Sequence, residues 1–287
     1  MYTISQLYIY PVKSLGGFEV QSAQLTDRGL QYDRRWMVVD SSNNFLTQRV
    51  HPSMSLLQAA IVNNELIIYN KNNIADKIST FLQPALVATS KVIVWDDVCQ
   101  AQYVSAEADE WLSAALNMPC RLVYMPDSEK RKVDSQYALQ DEVTSFSDGY
   151  PVLIIGQASV DDLNKRMPEP LPMDRFRPNI VFTGGLPYDE DTMEHILVNN
   201  IDLYGVKLCA RCVLTTINQS TALKAKEPLK TLAGYRMKNN KIYFGQNILY
   251  KQTGTIKVGD IIKTIKSKPP AFVYAEEDNV EDKPYVL

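Results

Sequence analysis

The first hundred residues of the chain contain many short stretches rich in β-branched and aromatic residues, separated by polar turns. Asn63 and Asn64, between two of these stretches, are typical of a tight hairpin turn. Many short strands joined in this way predict a barrel or a sandwich. The predicted strands cover residues 2–10, 18–25, 35–40, 56–62, 65–69 and 92–95.

The rest of the chain mixes further strands with a few short helices. Residues 106–117 place their apolar side chains on one helical face, with Ser105 as the predicted N-cap. Residues 126–148 are polar and have no clear period, which predicts a long surface connection. Strands are predicted at residues 120–125, 151–156, 178–183, 196–203, 206–209, 242–250 and 255–265, and short helices at 159–166 and 227–235.

The length of 287 residues, 45% of them hydrophobic, favours two domains over one. We place the first domain at residues 1–119 and the second at 120–266. Residues 267–287 are rich in proline and acidic residues, and we expect a flexible tail there.

Charge and hydropathy exclude several classes of protein. A net charge of -3 argues against a basic surface that binds a nucleic-acid polymer. The N-terminus shows no signal peptide, and no apolar run approaches the roughly 18 residues that span a bilayer. We therefore expect a cytoplasmic protein with reduced cysteines and no membrane partner.

The segment Cys209-Ala210-Arg211-Cys212 is the strongest candidate for chemistry. A neighbouring cation lowers the pKa of a thiol, and thiolates bind soft metals. Residues 213–216 are poor helix starters, which argues against a thioredoxin-type site, and a structural zinc site needs four ligands. Both alternatives stay open. On a strand, Cys209 and Cys212 would point to opposite faces, so that one thiol reaches a pocket and the other packs.

The loop at residues 11–17 follows the first predicted strand and contains Lys13 and Ser14. The ammonium, the hydroxyl and backbone N–H groups near the glycines are suited to hold a phosphate. The spacing differs from that of a Walker P-loop, and a hairpin loop with a solvated lysine is the simpler interpretation.

Two arginine-rich segments precede predicted strands. Strand alternation would send Arg34 and Arg35 to opposite faces, so that at most one of them lines a pocket. In the second segment Arg175, Arg177 and Asn179 would share one face, which suits an anionic heterocyclic ligand. The alternatives are an exposed arginine pair and a polar strand edge.

Taken in order, residues 8–14, 33–36, 176–181, 209–216, 227–232 and 254–260 resemble a known family. The chain is similar over residues 1–266 to MOSC-domain proteins with an N-terminal MOSC-associated β-barrel domain, such as the mitochondrial amidoxime-reducing components and their bacterial counterparts. The resemblance implies a β-rich α+β fold with two β-barrel-like domains and a cofactor site between them.

The resemblance also implies a pterin-bound molybdenum cofactor whose metal is bound by Cys212, the predicted catalytic residue. Lys13, Ser14 and Arg34 match positions that hold the phosphate and the pterin end, and Arg177 and Asn179 match other pterin contacts. Arg211 flanks the metal, and Ala210, where relatives carry a serine, is a further predicted cofactor contact. Cys209 is a second, non-ligating thiol. Relatives also place hydroxyl residues where this chain has Gly149 and Tyr150, so those contacts are in question.

The activity implied is reduction of N-hydroxylated compounds (amidoximes, hydroxylamines and N-hydroxylated nucleobases), with molybdenum cycling between its +4 and +6 states. No cysteine follows Cys212, so this chain has no downstream ligands for an iron–sulfur cluster. Electrons must then come from a separate protein of the flavin reductase, ferredoxin-like or cytochrome b5-like kind. Asp148 and Asp174 are candidate proton donors by position. The alternatives are a carrier of the cofactor or of sulfur, and a module that only stores the pterin.

Overall fold

A computed structural model describes residues 1–85 and 88–272 of the chain. Strands account for 44% of the residues. They are β1 (Tyr2–Ile9), β2 (Phe18–Val20), β3 (Ser22–Thr26), β4 (Gly29–Leu30), β5 (Trp36–Asp40), β6 (Leu57–Val62), β7 (Glu65–Asn70), β8 (Asn73–Phe81), β9 (Thr89–Val94), β10 (Asp97–Tyr103), β11 (Cys120–Tyr124), β12 (Val152–Gly156), β13 (Ile180–Thr183), β14 (Met193–Val198), β15 (Ile201–Arg211), β16 (Met237–Lys238), β17 (Lys241–Tyr250), β18 (Gly254–Lys257) and β19 (Ile261–Ser267). The α-helices are α1 (Ala106–Leu116), α2 (Gln157–Lys165) and α3 (Leu229–Ala233).

Seven strands close into a barrel, in the order β12, β13, β1, β19, β14, β15 and β17, and the pairing of β12 with β17 completes the ring. The β12–β13 pair is parallel, whereas the other neighbouring pairs are antiparallel. Side chains such as Ile4, Leu7, Ile154 and Leu203 fill the interior and are fully buried. The N-terminal strand therefore forms part of a barrel otherwise built from residues after 150.

Strands β5 to β11 form a half-barrel beside the closed barrel, whereas β2 pairs with β1, and β3 pairs with β4 and β18. Its sheets have the orders β5-β11-β10-β9 and β6-β7-β8. Helix α1 covers their core and contributes Ala108 and Leu112, which pack with Val12, Trp36 and other buried side chains. The hydroxyl of Ser105 accepts a hydrogen bond from the Ala108 N–H at 3.1 Å, which confirms the predicted N-cap.

The predicted fold class, β-rich α+β with barrel-like domains, is confirmed. Asn63 and Asn64 form the predicted hairpin turn, with φ angles of 50° and 65°. The single strand predicted at residues 196–203 is wrong, because Asn199 adopts a left-handed conformation with φ of 54° and separates β14 from β15. The strand predicted at residues 18–25 is likewise two strands, and β8 and β10 were not predicted.

The segment predicted as a surface connection, residues 126–148, is buried over residues 143–147. Arg131 satisfies the buried carbonyl groups of this segment. Its guanidinium donates hydrogen bonds to the carbonyl oxygens of Ser145 at 3.0 Å and Ser147 at 2.6 Å. Asp97 accepts a further bond from the Nε of Arg131 at 2.7 Å. These contacts fix the backbone just before Asp148. The domain boundaries stay predictions, and residues 273–287 of the predicted tail lie outside the described residues.

Candidate functional site

A cavity of about 290 Å³ lies where the loops of the half-barrel meet the ends of the closed barrel. This volume is near the lower end of the range of roughly 300–1,000 Å³ typical of ligand pockets. Basic side chains dominate its wall, and within the described residues Asp148 is the one carboxylate that lines it. The lining cations are Lys13, Arg34, Arg49, Arg175, Arg177, Lys207 and Arg211.

The loop after β1 brings Lys13 and Ser14 into the wall, and both are buried. Lys13 Nζ donates to the Phe146 carbonyl oxygen at 2.8 Å and to Asp148 Oδ1 at 2.6 Å. Burial lowers the pKa of Lys13 to about 8, although the carboxylate of Asp148 opposes this shift. Lys13 is therefore an enclosed ammonium with one anionic partner, and the interpretation as a solvated hairpin lysine is wrong.

Arg34 and Arg177 lie against the ring of Tyr10, each with its guanidinium carbon 4.3 Å from the ring centroid. Both backbones are left-handed, with φ of 49° at Arg34 and 54° at Arg177. Burial, followed by the charge of Arg34, lowers the pKa of Arg177 to about 10. Arg35 instead contacts Tyr124 and Asp127 on the other side, so one arginine of the pair reaches the cavity, as predicted.

Arg175, Arg177 and Asn179 all line the cavity, but they do not share a strand face as predicted. Met173–Arg175 is a 3₁₀ helix, and β13 starts only after Asn179. The backbone reversal at Arg177, rather than strand alternation, brings the three side chains together. Arg175 Nε donates to the Thr215 carbonyl oxygen at 2.8 Å, which ties this loop to the cysteine segment.

Both Cys209 and Cys212 line the cavity, so the prediction that they face opposite sides is wrong. The pairing of β15 with β17 shifts register between Leu208 and Ala210, and β15 ends at Arg211. The irregularity breaks the alternation of side chains. Burial raises the pKa of the Cys209 thiol above its usual value. Cys209 therefore stays protonated at neutral pH, and a protonated thiol is a weaker nucleophile than a thiolate.

The segment after Cys212, whose residues are poor helix starters, nevertheless forms a 3₁₀ helix, Val213–Thr216. The hydroxyl of Thr215 donates to the Cys212 carbonyl oxygen at 3.0 Å, and that of Thr216 donates to the Val213 carbonyl oxygen at 2.8 Å. These local bonds satisfy the carbonyl groups of the turn and offset the β-propensity of the residues.

Arg49 and Lys207 are lining cations that the sequence analysis did not identify, and Arg49 is the one of these two that contacts Cys212. It lies in an irregular stretch between β5 and β6, yet its Nε donates to the Cys212 sulfur at 3.0 Å. Its Nη2 donates to Asp148 Oδ2 at 3.2 Å, and its guanidinium carbon lies 4.2 Å from the ring centroid of Trp95. The half-barrel thus contributes a cation that touches the candidate metal ligand.

Asp148 accepts hydrogen bonds from Lys13, Arg49 and Trp95. Desolvation by the surrounding protein raises the pKa of the Asp148 carboxyl. The positive charges of Lys13 and Arg49 outweigh this effect and hold the pKa below its usual range. Asp148 is therefore ionised at neutral pH. Asp174, the other acid considered from the sequence, is not among the lining residues.

The wall of the cavity also carries buried polar atoms without partners in the described part of the chain: Nη2 of Arg175, Nη2 of Arg211 and the hydroxyl of Tyr150. Buried donors are normally satisfied, so their combination with excess positive charge indicates an anionic, hydrogen-bonding ligand. A pterin with a phosphate meets this requirement, and Cys212 supplies a thiol for its metal. Within residues 1–85 and 88–272 no group of three or more His, Cys, Asp or Glu side chains is arranged to hold a metal ion.

The two parts of the chain match two known domains. Residues 1–119 match the MOSC N-terminal beta barrel domain and residues 141–263 match the MOSC domain. The chain belongs to the MOSC family. It is 33% identical to mitochondrial amidoxime-reducing component 1 of Mus musculus and also of Homo sapiens, in each case over 90% of this chain and 81% of the relative. It is 32% identical to a molybdenum cofactor sulfurase of Oryza sativa subsp. japonica, over 86% of this chain and 32% of that protein.

These findings confirm the predicted resemblance and support a function connected with the molybdenum cofactor. The roles of individual residues, including Ala210 as a cofactor contact, stay predictions. None of the helices in the described residues is long and apolar enough to cross a membrane. The cytoplasmic location also stays a prediction, since the amidoxime-reducing relatives are named as mitochondrial.

Proposed function

We propose that this MOSC protein is a molybdenum-cofactor-dependent reductase of N-hydroxylated compounds. The observation that carries the proposal is the convergence of the Cys212 thiol and seven cationic side chains on one cavity. Relatives that are about one-third identical over 90% of the chain are named as amidoxime-reducing components, which supports this reaction over other uses of the cofactor.

The residues divide into groups by their chemistry. Lys13, Ser14 and Arg34 would hold the phosphate and the pterin end, and Arg177 and Asn179 would hold the rest of the pterin. Arg34 is 13% exposed and the other four side chains are buried, which limits competition from water and strengthens charge-assisted hydrogen bonds. Cys212 would bind the metal, and the unpartnered guanidinium nitrogens of two further arginines give additional donors: Arg175 and Arg211.

When bound, the cofactor would supply two electrons for cleavage of the substrate N–O bond. With two protons, the oxygen leaves as water and an amidoxime becomes an amidine. Asp148 is ionised and accepts hydrogen bonds, so it holds the substrate N–H groups rather than donating a proton. Lys13 Nζ lies 2.6 Å from that carboxylate and is assigned above to the phosphate, so the two protons would come from solvent.

The reaction requires an external electron donor, and we propose a separate flavin reductase, ferredoxin-like or cytochrome b5-like protein in the cytoplasm. A second candidate function is transport of the cofactor or of sulfur on a cysteine, without reductase turnover. The similarity to a molybdenum cofactor sulfurase favours this alternative, although the chain spans only 32% of that relative.

The test begins with metal content. Wild type, Cys212→Ala and Cys209→Ala are produced in a host that makes molybdopterin, and molybdenum and zinc are measured in each protein. We expect near-stoichiometric molybdenum in wild type and in Cys209→Ala, and a large loss in Cys212→Ala. Zinc in place of molybdenum, or equal molybdenum in both alanine variants, would remove Cys212 as the ligand.

Turnover then separates the two candidate functions. Molybdenum-loaded wild type is given a chemical reductant and an amidoxime, and the amidine is quantified. Formation of amidine supports the reductase. A loaded protein that produces no amidine but passes cofactor or sulfur to an acceptor enzyme would support the carrier instead.

A further inference from the structure

Trp95 occupies a backbone position that does not suit a bulky side chain. It is the first residue of the two-residue loop between β9 and β10, and its φ is 57°. The two-residue loops at Asn63-Asn64 and Asn239-Asn240 place asparagine in the same left-handed region. Asparagine and glycine are favoured there, whereas a bulky residue with positive φ is an outlier that often marks a functional position.

Three contacts hold the Trp95 ring in one orientation. Its Nε1 donates to Asp148 Oδ1 at 3.3 Å. The guanidinium of Arg49 lies over the ring at 4.2 Å, and the ring of Phe45 meets it edge-on at 4.8 Å. The indole is therefore fixed beside two residues that line the cavity, even though 38% of its surface stays exposed.

Trp95 does not line the cavity itself, but its contacts with Arg49 and Asp148, which do, place it next to the cavity on the side of Cys212. Arg49 bridges the two residues, because it contacts the Cys212 sulfur at 3.0 Å and the indole ring. Val213, the residue after Cys212, is also an exposed apolar side chain. Two exposed apolar side chains, Trp95 and Val213, therefore lie near the candidate metal ligand, outside the charged lining of the cavity.

We propose that Trp95 determines substrate specificity by holding the planar substituent of aromatic N-hydroxylated compounds. This inference rests on the proposed reductase function. With the N–O group directed to Cys212, a conjugated ring attached to it extends out of the cavity onto the exposed indole. Aromatic pairs gain free energy beyond area burial, and the ring held in place loses little conformational entropy on binding. An aliphatic substrate gains nothing from this contact.

A pair of substrates with the same reacting group tests the proposal: benzamidoxime carries the ring and acetamidoxime lacks it. The variants are Trp95→Asn, which the left-handed turn favours, and Trp95→Phe, which keeps an aromatic ring. All proteins are loaded with molybdenum. We expect Trp95→Asn to raise the KM for benzamidoxime about three- to tenfold more than the KM for acetamidoxime, which reports the loss of the bond to Asp148 by itself. Trp95→Phe should retain most of the preference.

Binding without reductant gives a readout that does not depend on turnover. Benzamidoxime should quench the indole fluorescence of wild type and of Trp111→Phe. The second protein is the control, because Trp111 donates its hydrogen bond to Asp76 and not to Asp148. It should not quench Trp95→Asn. Equal effects of Trp95→Asn on both substrates, or unchanged benzamidoxime binding, would overturn the inference. Loaded wild type that binds benzamidoxime through Trp95 but reduces neither substrate would refute the reductase function and leave the role of Trp95 intact.

Discussion

Replacement of Arg131 by methionine should weaken the scaffold that presents Asp148. The arginine is 6% exposed and donates to the buried carbonyl oxygens of Ser145 and Ser147. Hydrogen bonds to charged groups contribute about 1.5–3 kcal/mol each, so two such bonds amount to about 3–6 kcal/mol. The ion pair with Asp97 adds little, because that carboxylate is half exposed. Partial hydration of the carbonyl groups in the variant reduces the expected loss to ~4 kcal/mol.

The assay is urea unfolding followed by fluorescence. With an m-value of about 3 kcal/mol per M, the midpoint of Arg131→Met should fall by roughly 1 M. The matched control is Arg121→Met, whose arginine is 55% exposed and lies 4.0 Å from Asp109, and its free energy of unfolding should change by less than about 0.5 kcal/mol. Native-state hydrogen exchange should also speed up at the Phe146 amide, which donates to the Arg34 carbonyl oxygen. A loss below about 1 kcal/mol, or unchanged exchange at Phe146, would show that the segment is held by other contacts.

Three further predictions concern stability. Lys13 has a pKa of about 8 in the folded chain, below its ordinary value. Between about pH 8 and 10.5 the unfolded chain therefore binds this proton more strongly than the folded chain, and the free energy of unfolding should rise with pH. Urea unfolding should show that rise in wild type and a smaller one in Lys13→Met. Burial raises the pKa of Glu190 to about 7, so stability present below pH 4.5 should be lost as the pH rises through 7, and Glu190→Gln should flatten this dependence; an unchanged slope would contradict the assignment. Ser105→Ala removes the N-cap of α1 and should cost about 1 kcal/mol, measured by thermal unfolding; no change would mean that water replaces the cap.

The sequence predicted correctly the turns and helix ends that depend only on a few neighbouring residues. Asn63-Asn64 forms its hairpin and Ser105 caps its helix because each depends on a few neighbouring residues. The single strand predicted at residues 196–203 is wrong, and residues 213–216 form a 3₁₀ helix although they are poor helix starters. In both segments a local backbone or side-chain interaction outweighs the β-propensity of the residues. Asn199 accepts a left-handed turn, and threonine hydroxyls at 215 and 216 bond to the preceding carbonyl groups.

The candidate site shows the same division. The cationic residues recognised from their motifs, such as Lys13, Arg34 and Arg177, do line one cavity. Arg49 could not be found in this way, since it lies in an irregular segment and meets Cys212 only across 163 positions of sequence. The shared orientation of Cys209 and Cys212 was also missed, because a register shift between β15 and β17 breaks the simple alternation of a strand.

The pairing of β1 with β13 and β19 has a consequence for how this protein can be divided. A fragment that begins after residue 119 would contain the MOSC cysteines but lack β1, one of the seven strands of the barrel. Its loss would leave β13 and β19 as open edges and expose the apolar interior. The same cut would remove Lys13 and Arg34 from the cavity. The two halves of the sequence therefore depend on each other. Neither the exchange of domains at residue 119 nor expression of the second half alone preserves both the barrel and the site.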